Sequence, residues 1–380
     1  MTKQFFYLYF IFYYLFLAIY ANYMDIGDLE IAYLSKSYPI TLIENIFLSF
    51  GNNNFLLRLP SLLLSIFSVF LYYKISQKYL KKTKDIYFST IIFSLLPGFL
   101  MASLLFNKSI YLIFLVLIFL YSFLYFRFYS YLILLSLTIV DYSFIVLYMG
   151  LIFYSIYKRD TKFLIYSVFL LAINANYFHY AIGGKPQGHF IDILLIYFAI
   201  FSPFVFVYFL YSLIKIGKPN LLWFISSWSL LFSILLSFRQ RIKIDDYAPY
   251  VIISVVFMVY IFFSDYRIRL KIFRPFYKKL FIFLFSSLII FDLFLLGSPY
   301  IIDKKIVSQF RYSKKIADFL KQRNIDFISC NNAKLCKKLY FYGVKKGNNY
   351  YLKFNRKEKK VSISHNHKKI YTFYVSKLNK

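Results

Sequence analysis

The sequence predicts an all-α polytopic membrane protein with a small C-terminal α+β extramembrane domain, and three observations carry that prediction. Of the 380 residues, 60% are hydrophobic and 24% aromatic, at a mean hydropathy of +0.60. That much apolar surface exceeds what one water-soluble core of this length can bury. The apolar residues fall in repeated runs of about 17 to 25, the length of helix that crosses a hydrocarbon core of about 30 Å. Beyond residue 296 the composition changes to Lys- and Asn-rich sequence with no run long enough to cross. With only 2 Cys, 11 Gly and 9 Pro, the chain is neither a disulfide scaffold nor collagen-like, and its hydrophobicity excludes intrinsic disorder.

Two parts follow: a membrane domain at 1–298 and a basic extramembrane domain at 299–380. Apolar runs place spans at 5–23, 56–73, 86–106, 109–126, 163–180, 191–214, 220–238, 248–264 and 280–298. The first run follows Lys3 as a secretion signal would, but it is too long and lacks a small-x-small cleavage site, so it is expected to be retained. The stretch 129–157 is too long for one span and too short for two full ones. Short cytoplasmic loops carry the excess of Lys and Arg. Three clusters are therefore expected on that side: Lys74, Lys78, Lys81, Lys82 and Lys84; Lys158, Arg159 and Lys162; and Arg267, Arg269, Lys271, Arg274, Lys278 and Lys279. This parity requires 129–157 to leave and return as two short helices turning near Asp141. About eleven transmembrane helices result, with the C-terminal domain exported. Residues 297–380 carry 21 basic and 4 acidic side chains, and long domains translocate largely regardless of charge.

Charged residues on the expected outer side are the chemical candidates. The first outer loop holds Asp25, Asp28, Glu30 and Glu44 beside a single Lys36. Carboxylates at a partly desolvated interface have raised pKa values and serve as bases near neutrality, whereas solvated loop carboxylates merely help orient the chain. Both readings stand on the sequence. A second loop, FRQRIKIDDYAPY at 238–250, puts Arg239, Arg241 and Lys243 where short loops should be poor in cations. Such a group suits a lipid-linked phosphate, and equally suits lipid headgroups or ion pairs with Asp245 and Asp246. A third loop, 180–192, contains Gly183, Gly184, Lys185 and His189. His179 and His189 lack the further ligands of a zinc site, so no metal is expected. Asp141 and Asp292 are the other carboxylates near hydrocarbon, expected at an outward turn and near the interface. No Walker loop, dinucleotide fingerprint, nucleophile elbow or HExxH occurs, and no cofactor is expected.

After the acidic first loop comes Phe50-Gly51-Asn52-Asn53-Asn54-Phe55-Leu56-Leu57-Arg58-Leu59-Pro60-Ser61. This order resembles the GT-C glycosyltransferases that use polyprenyl-phosphate sugars, in particular family 39 and the aminoarabinose-transferase-like enzymes. Gly184-Lys185-Pro186 with Phe201-Ser202-Pro203, and the stretch RQRIKIDDYAPY with its Tyr247, are similar to later parts of that family, so the resemblance spans about 25–260. It implies a metal-independent, inverting glycosyltransferase of the bacterial inner membrane. Such an enzyme moves a sugar from a polyprenyl-phosphate donor to a lipid, glycan or protein acceptor on the periplasmic face. It implies Asp28 and Glu30 as the catalytic carboxylates, with Asp25, Tyr33, Arg58, Lys185, His189, Arg239, Arg241, Lys243 and Tyr247 in contact with substrate. Two departures are visible: Leu29 stands where the family has Asp beside the Glu, and Asn107-Lys108-Ser109 stand where it often has an Asp.

The alternative from another class is a non-catalytic transporter or flippase of lipid-linked saccharide. It would show repeat symmetry, or broken spans with ionisable residues at the midplane. The tail predicts a helix over 310–323 and strands over 326–330, 350–354, 361–364 and 370–375. Cys330 and Cys336 pair if the compartment is oxidising and remain thiols otherwise. The tail has no recognition motif for nucleic acid, and its basic surface points to membrane lipid or an anionic glycan as partner.

Overall fold

The computed structural model describes residues 2–34, 39–179, 188–301, 313–347, 350–355, 360–365 and 368–374. Helices follow one another much as the apolar runs predict. They are α1 (Lys3–Tyr23), α2 (Asp28–Leu34), α3 (Pro39–Leu48), α4 (Asn54–Tyr79), α5 (Thr83–Leu95), α6 (Pro97–Leu104), α7 (Lys108–Tyr125), α8 (Arg127–Val140) and α9 (Phe144–Lys158). Then come α10 (Thr161–Tyr177), α11 (Phe190–Phe201), α12 (Pro203–Lys215), α13 (Leu221–Ser237), α14 (Ala248–Ile252), α15 (Val255–Ile268) and α16 (Arg274–Ile301). The tail adds α17 (Ser313–Gln322), β1 (Phe327–Cys330), α18 (Ala333–Phe341), β2 (Lys345–Lys346), β3 (Tyr350–Asn355), β4 (Lys360–His365) and β5 (Lys368–Tyr374).

Among the described residues five stretches are long and apolar enough to cross a membrane: α1, α4, α7, Ala248–Ile268 and Lys271–Gly297. The number rises to seven if each of two bent pairs is one span. The chain is thus a mainly helical membrane protein with a small C-terminal sheet. On α1 the buried side chains Tyr13, Leu17 and Ala21 recur at helical spacing, while Phe12, Leu15, Phe16 and Ile19 lie exposed, as a lipid-facing helix requires.

The runs 86–106 and 191–214, expected as uninterrupted spans, are broken. α5 and α6 meet at 59°, and α11 and α12 at 99°. Pro97 and Pro203 explain both breaks, since proline has no amide to donate and its ring clashes with the preceding turn, so each helix restarts with Pro at its first position. Ser202, at φ +67°, makes the sharper bend. The stretch 129–157 does form two helices, α8 and α9, separated at 141–143. The segment expected as the first outer loop, by contrast, is substantially helical, in α2 and α3.

The chain divides into two compact units. The larger comprises Met1–Leu8, Leu63–Ser103 and Lys108–Phe294. Within it the connections sort into two groups of contacts. Asp85 pairs with Arg267, Lys78 lies over the Tyr125 ring, Arg127 pairs with Asp160, and Lys215 pairs with Asp265, which links the three basic clusters through neighbouring residues. A second group joins Lys108 to Asp141 and Asp246, and the amides of Gly188 and His189 to the carbonyls of Phe238 and Ser237. Helices α9 and α13 approach closely at Gly150, where an added Cβ would lie 2.8 Å from the Ile225 Cα. Small residues let membrane helices make such contacts.

The second unit comprises Tyr9–Leu62, Leu104–Asn107 and Leu295–Lys380. Its sheet has the order β2-β1-β3-β4-β5, with β1 parallel to β2 and β3, and with β3, β4 and β5 antiparallel. Helix α18 crosses over between β1 and β2, as parallel neighbours demand. Asn332 caps it by accepting the amides of Lys334 and Leu335. Ile316, Ala317 and Leu320 of α17, Leu335 and Leu339 of α18, and Ile328 and Leu352 of the sheet are buried.

Replacing Gly150 by Leu should lower the thermal unfolding midpoint in detergent, because overpacking against helix backbone costs about 1–3 kcal/mol. An unchanged or higher midpoint would contradict the close α9–α13 approach.

Candidate functional site

In the smaller unit the first extramembrane segment is organised around one guanidinium. The last turn of α1 leaves carbonyls without helical partners, and Arg58, on the second turn of α4, reaches them. Its Nη1 donates to the carbonyls of Ala21 at 2.8 Å and Met24, and its Nη2 to that of Asp25 at 2.9 Å. Nε and Nη2 also grip Glu30 at 2.9 and 2.8 Å. All five N–H groups are thereby used, and the side chain is fully buried. The Glu30 carboxylate, 2% exposed, accepts two further bonds, from the amides of Gly27 at 2.7 Å and Phe106 at 3.0 Å.

The expected roles of these two residues change accordingly. Arg58 has no donor left for a substrate, and Glu30 has no lone pair left for a proton, so the pair builds the segment. Asp28 is engaged too: its carboxylate lies 2.7 Å from the buried Lys338 Nζ and 3.8 Å from that of Lys334. Asp25 differs. Its Oδ2 accepts from Ser313 Oγ at 3.2 Å and the Lys314 amide at 3.4 Å, while Oδ1 accepts no hydrogen bond among the described residues. Burial raises its carboxyl above the usual range, against the pull of those donors and of Arg58. Tyr33 sets its ring edge 6.1 Å from Phe106.

The tail helix α18 completes this region. At its C-terminal cap, Tyr342 donates its hydroxyl proton to Asn54 at 2.6 Å and accepts from the Ile26 amide at 3.2 Å. Cys330 and Cys336 are bonded, tying the end of β1 to the helix that carries Lys334, Lys338 and Tyr342. Sequence reading found neither α18 nor these contacts. Lys338 looked like one more tail lysine, and only its 1% exposure sets it apart.

In the larger unit Arg239, Arg241 and Lys243 are exposed, and none forms an ion pair among the described residues. The adjacent acids face elsewhere. Asp245 accepts from Ser109 Oγ at 2.9 Å. Asp246 is buried against Lys108 and accepts the Tyr142 hydroxyl. Lys108 also meets Asp141 at 3.3 Å and lies 4.3 Å over the Tyr142 ring. Burial pushes the Asp246 carboxyl up, and Lys108 opposes that. Asp141, expected at an outward turn, caps this buried triad, its Oδ1 accepting the Ser143 amide and its carbonyl accepting from Asn174.

Other expected contacts fall in different places. Tyr247 is buried, its carbonyl accepting from Ser229 Oγ at 2.8 Å, so it anchors the loop. His189 joins Asp192 through Nδ1 at 3.3 Å. Lys185 lies outside the described residues. Among those residues no three His, Cys, Asp or Glu side chains group as metal ligands.

The fold and these two clusters define a class: a multi-helix membrane protein with a largely buried carboxyl in one unit and exposed cations without ion-pair partners among the described residues in the other. No family model, curated protein or solved structure matches the chain.

Arg58→Ala should destabilise the protein by about 3–5 kcal/mol, because it strands a buried carboxylate. Lys334→Ala, which removes an exposed lysine 3.8 Å from Asp28, should cost far less. Equal, small losses in chemical unfolding of the two variants would contradict the hub role of Arg58.

Proposed function

We propose that the chain is a GT-C-like glycosyltransferase that transfers a sugar from a polyprenyl-phosphate donor to an acceptor. The observation that carries this reading is the set Arg239, Arg241 and Lys243, exposed beside two aspartates that bond to Lys108, Tyr142 and Ser109 instead. Three unneutralised cations fit a phosphate, with the forks of the arginines and the point charge of the lysine sharing its oxygens. The LRLPS order and the helical, carboxylate-bearing segment before it support the same family.

In this reaction the base is Asp25. Its carboxylate takes the proton of the acceptor hydroxyl, and the oxygen attacks the anomeric carbon. The bond from that carbon to the phosphate oxygen breaks, and polyprenyl phosphate leaves with both electrons. Cations at the phosphate stabilise the charge that develops there. Displacement from the face opposite the phosphate inverts the anomeric centre.

Eleven crossings fit this assignment when the two bent pairs each count once and the shorter helices α8, α9, α10 and α13 also cross. Three basic clusters then face the cytoplasm. The Cys330–Cys336 bond supports an exported tail, since such bonds persist in oxidising compartments. The bent pairs are also the one feature that favours transport. Their breaks, at 96–98 and 202–203, carry no ionisable side chain, which favours transfer.

With purified protein and labelled polyprenyl-phosphate sugar, Asp25→Asn should lower kcat/KM by about 10²–10⁴. The base works ionised and its carboxyl is raised, so wild-type kcat/KM should fall toward acid pH with a midpoint above the ordinary aspartate value of 3.8. That limb should vanish in Asp25→Asn. Arg241→Ala should raise the donor KM about tenfold, the equivalent of about 1.4 kcal/mol. Undiminished transfer in Asp25→Asn removes the base assignment, and transport without transfer supports the flippase reading.

A further inference from the structure

The larger unit holds two adjoining apolar cavities that sugar transfer does not use. One, about 30 Å³, lies between α5, α12, α15 and α16 and is lined by Ile92, Val205, Met258, Phe262 and Phe281. The other, about 500 Å³, is an open groove between α12 and α16 walled by Val207, Tyr211, Phe276 and Phe283. Tyr208 and Leu284 line both, so the groove adjoins the small cavity. The volume of the groove lies within the range of sites that hold small molecules.

Two observations specify the occupant. The first is Tyr208: its hydroxyl is buried and has no hydrogen-bond partner among the described residues. A buried hydroxyl without an acceptor is unfavourable, and here it stands in an otherwise hydrocarbon wall. The second is charge at the end of the groove. Lys215 lies 2.9 Å from the Tyr211 hydroxyl and pairs with Asp265, and the exposed Arg269 lies 5.9 Å over the ring of Tyr277, which lines the groove. Asp265 is the one carboxylate lining the groove, and Lys215 neutralises it. Tyr208 precedes Lys215 by seven residues, about 10 Å along the helix. An apolar slot, a hydrogen-bond donor partway along it and a cationic mouth match an acyl chain, an ester carbonyl and a phosphate, in that order.

We propose that this groove binds one anionic phospholipid, with an acyl chain between α12 and α16, an ester carbonyl on the Tyr208 hydroxyl, and the phosphate at the basic mouth. Basic pockets between membrane helices recognise such headgroups. The inference stands independently of sugar transfer. A polyprenyl phosphate shares the phosphate and the apolar chain but has no ester carbonyl for Tyr208.

The test is to strip the purified full chain of lipid in detergent and titrate it with phosphatidylglycerol or phosphatidylcholine, counting bound lipid by native mass spectrometry. Phosphatidylglycerol should fill a single saturable site about tenfold more tightly than phosphatidylcholine. Val207→Trp, on the wall of the groove, should weaken that site tenfold or more, and Tyr208→Phe severalfold. Arg269→Glu should abolish the preference for the anionic lipid. Tyr208→Phe decides the matter if Val207→Trp fails to fold. Equal and unsaturable uptake of both lipids would mean annular contact only and would overturn the proposal. So would wild-type affinity in Tyr208→Phe, or displacement of phosphatidylglycerol by equimolar polyprenyl phosphate.

Discussion

A guanidinium buried with every N–H satisfied is the constraint on which the first extramembrane segment depends. Placing Arg58 and Glu30 out of water is unfavourable unless their mutual attraction is completed by hydrogen bonds on all sides. Here it is completed by three carbonyls at the end of α1, by both oxygens of Glu30, and by the amides of Gly27 and Phe106. One side chain of α4 thus sets the exit of α1, the start of α2 and the position of the 104–107 backbone. Glu30 is consumed in this arrangement and Asp28 is paired with Lys338, whereas Asp25 keeps one oxygen that accepts no hydrogen bond among the described residues.

The larger unit divides its charges in the same way. Lys108, Asp141 and Asp246 form an inward group completed by the Tyr142 hydroxyl, and Asp245 turns to Ser109. Inward charges fix where the loop runs, and Arg239, Arg241 and Lys243 remain exposed. Had Asp245 and Asp246 paired with Arg239 and Arg241, only Lys243 would have been left unpaired on the loop. The Lys at the start of α7, where the resembled family often has an acid, therefore has a structural consequence: it draws Asp246 away from the arginines.

Much of the helical pattern was legible in the sequence, because a run of about 20 apolar residues has few other stable fates. Charge parity found the α8–α9 turn at Asp141, and alternation found β1, β3, β4 and β5. Hydropathy could not find the breaks before Pro97 and Pro203, since apolar residues flank both, and it could not see α2 and α3 in a segment whose helices are short. Helix α18 escaped because Lys334, Lys337 and Lys338 obscure the spacing of Leu335 and Leu339. For the site, the sequence singled out charged segments without showing what each side chain touches. A motif such as LRLPS marks Arg58 as special without saying what it touches, and only the geometry separates a guanidinium that holds the backbone from one that holds a substrate. Tyr247 is a similar case, an aromatic beside cations that turns inward.

The most direct measurement is hydrogen–deuterium exchange of the segment 24–34, comparing wild type with Arg58→Lys. A lysine keeps the charge and loses the fork, so it cannot span Glu30 and three carbonyls at once. Exchange across 24–34 should accelerate strongly in the variant while α8 and α9 keep their protection. Unchanged exchange at 24–34 would contradict the claim that Arg58 holds this segment.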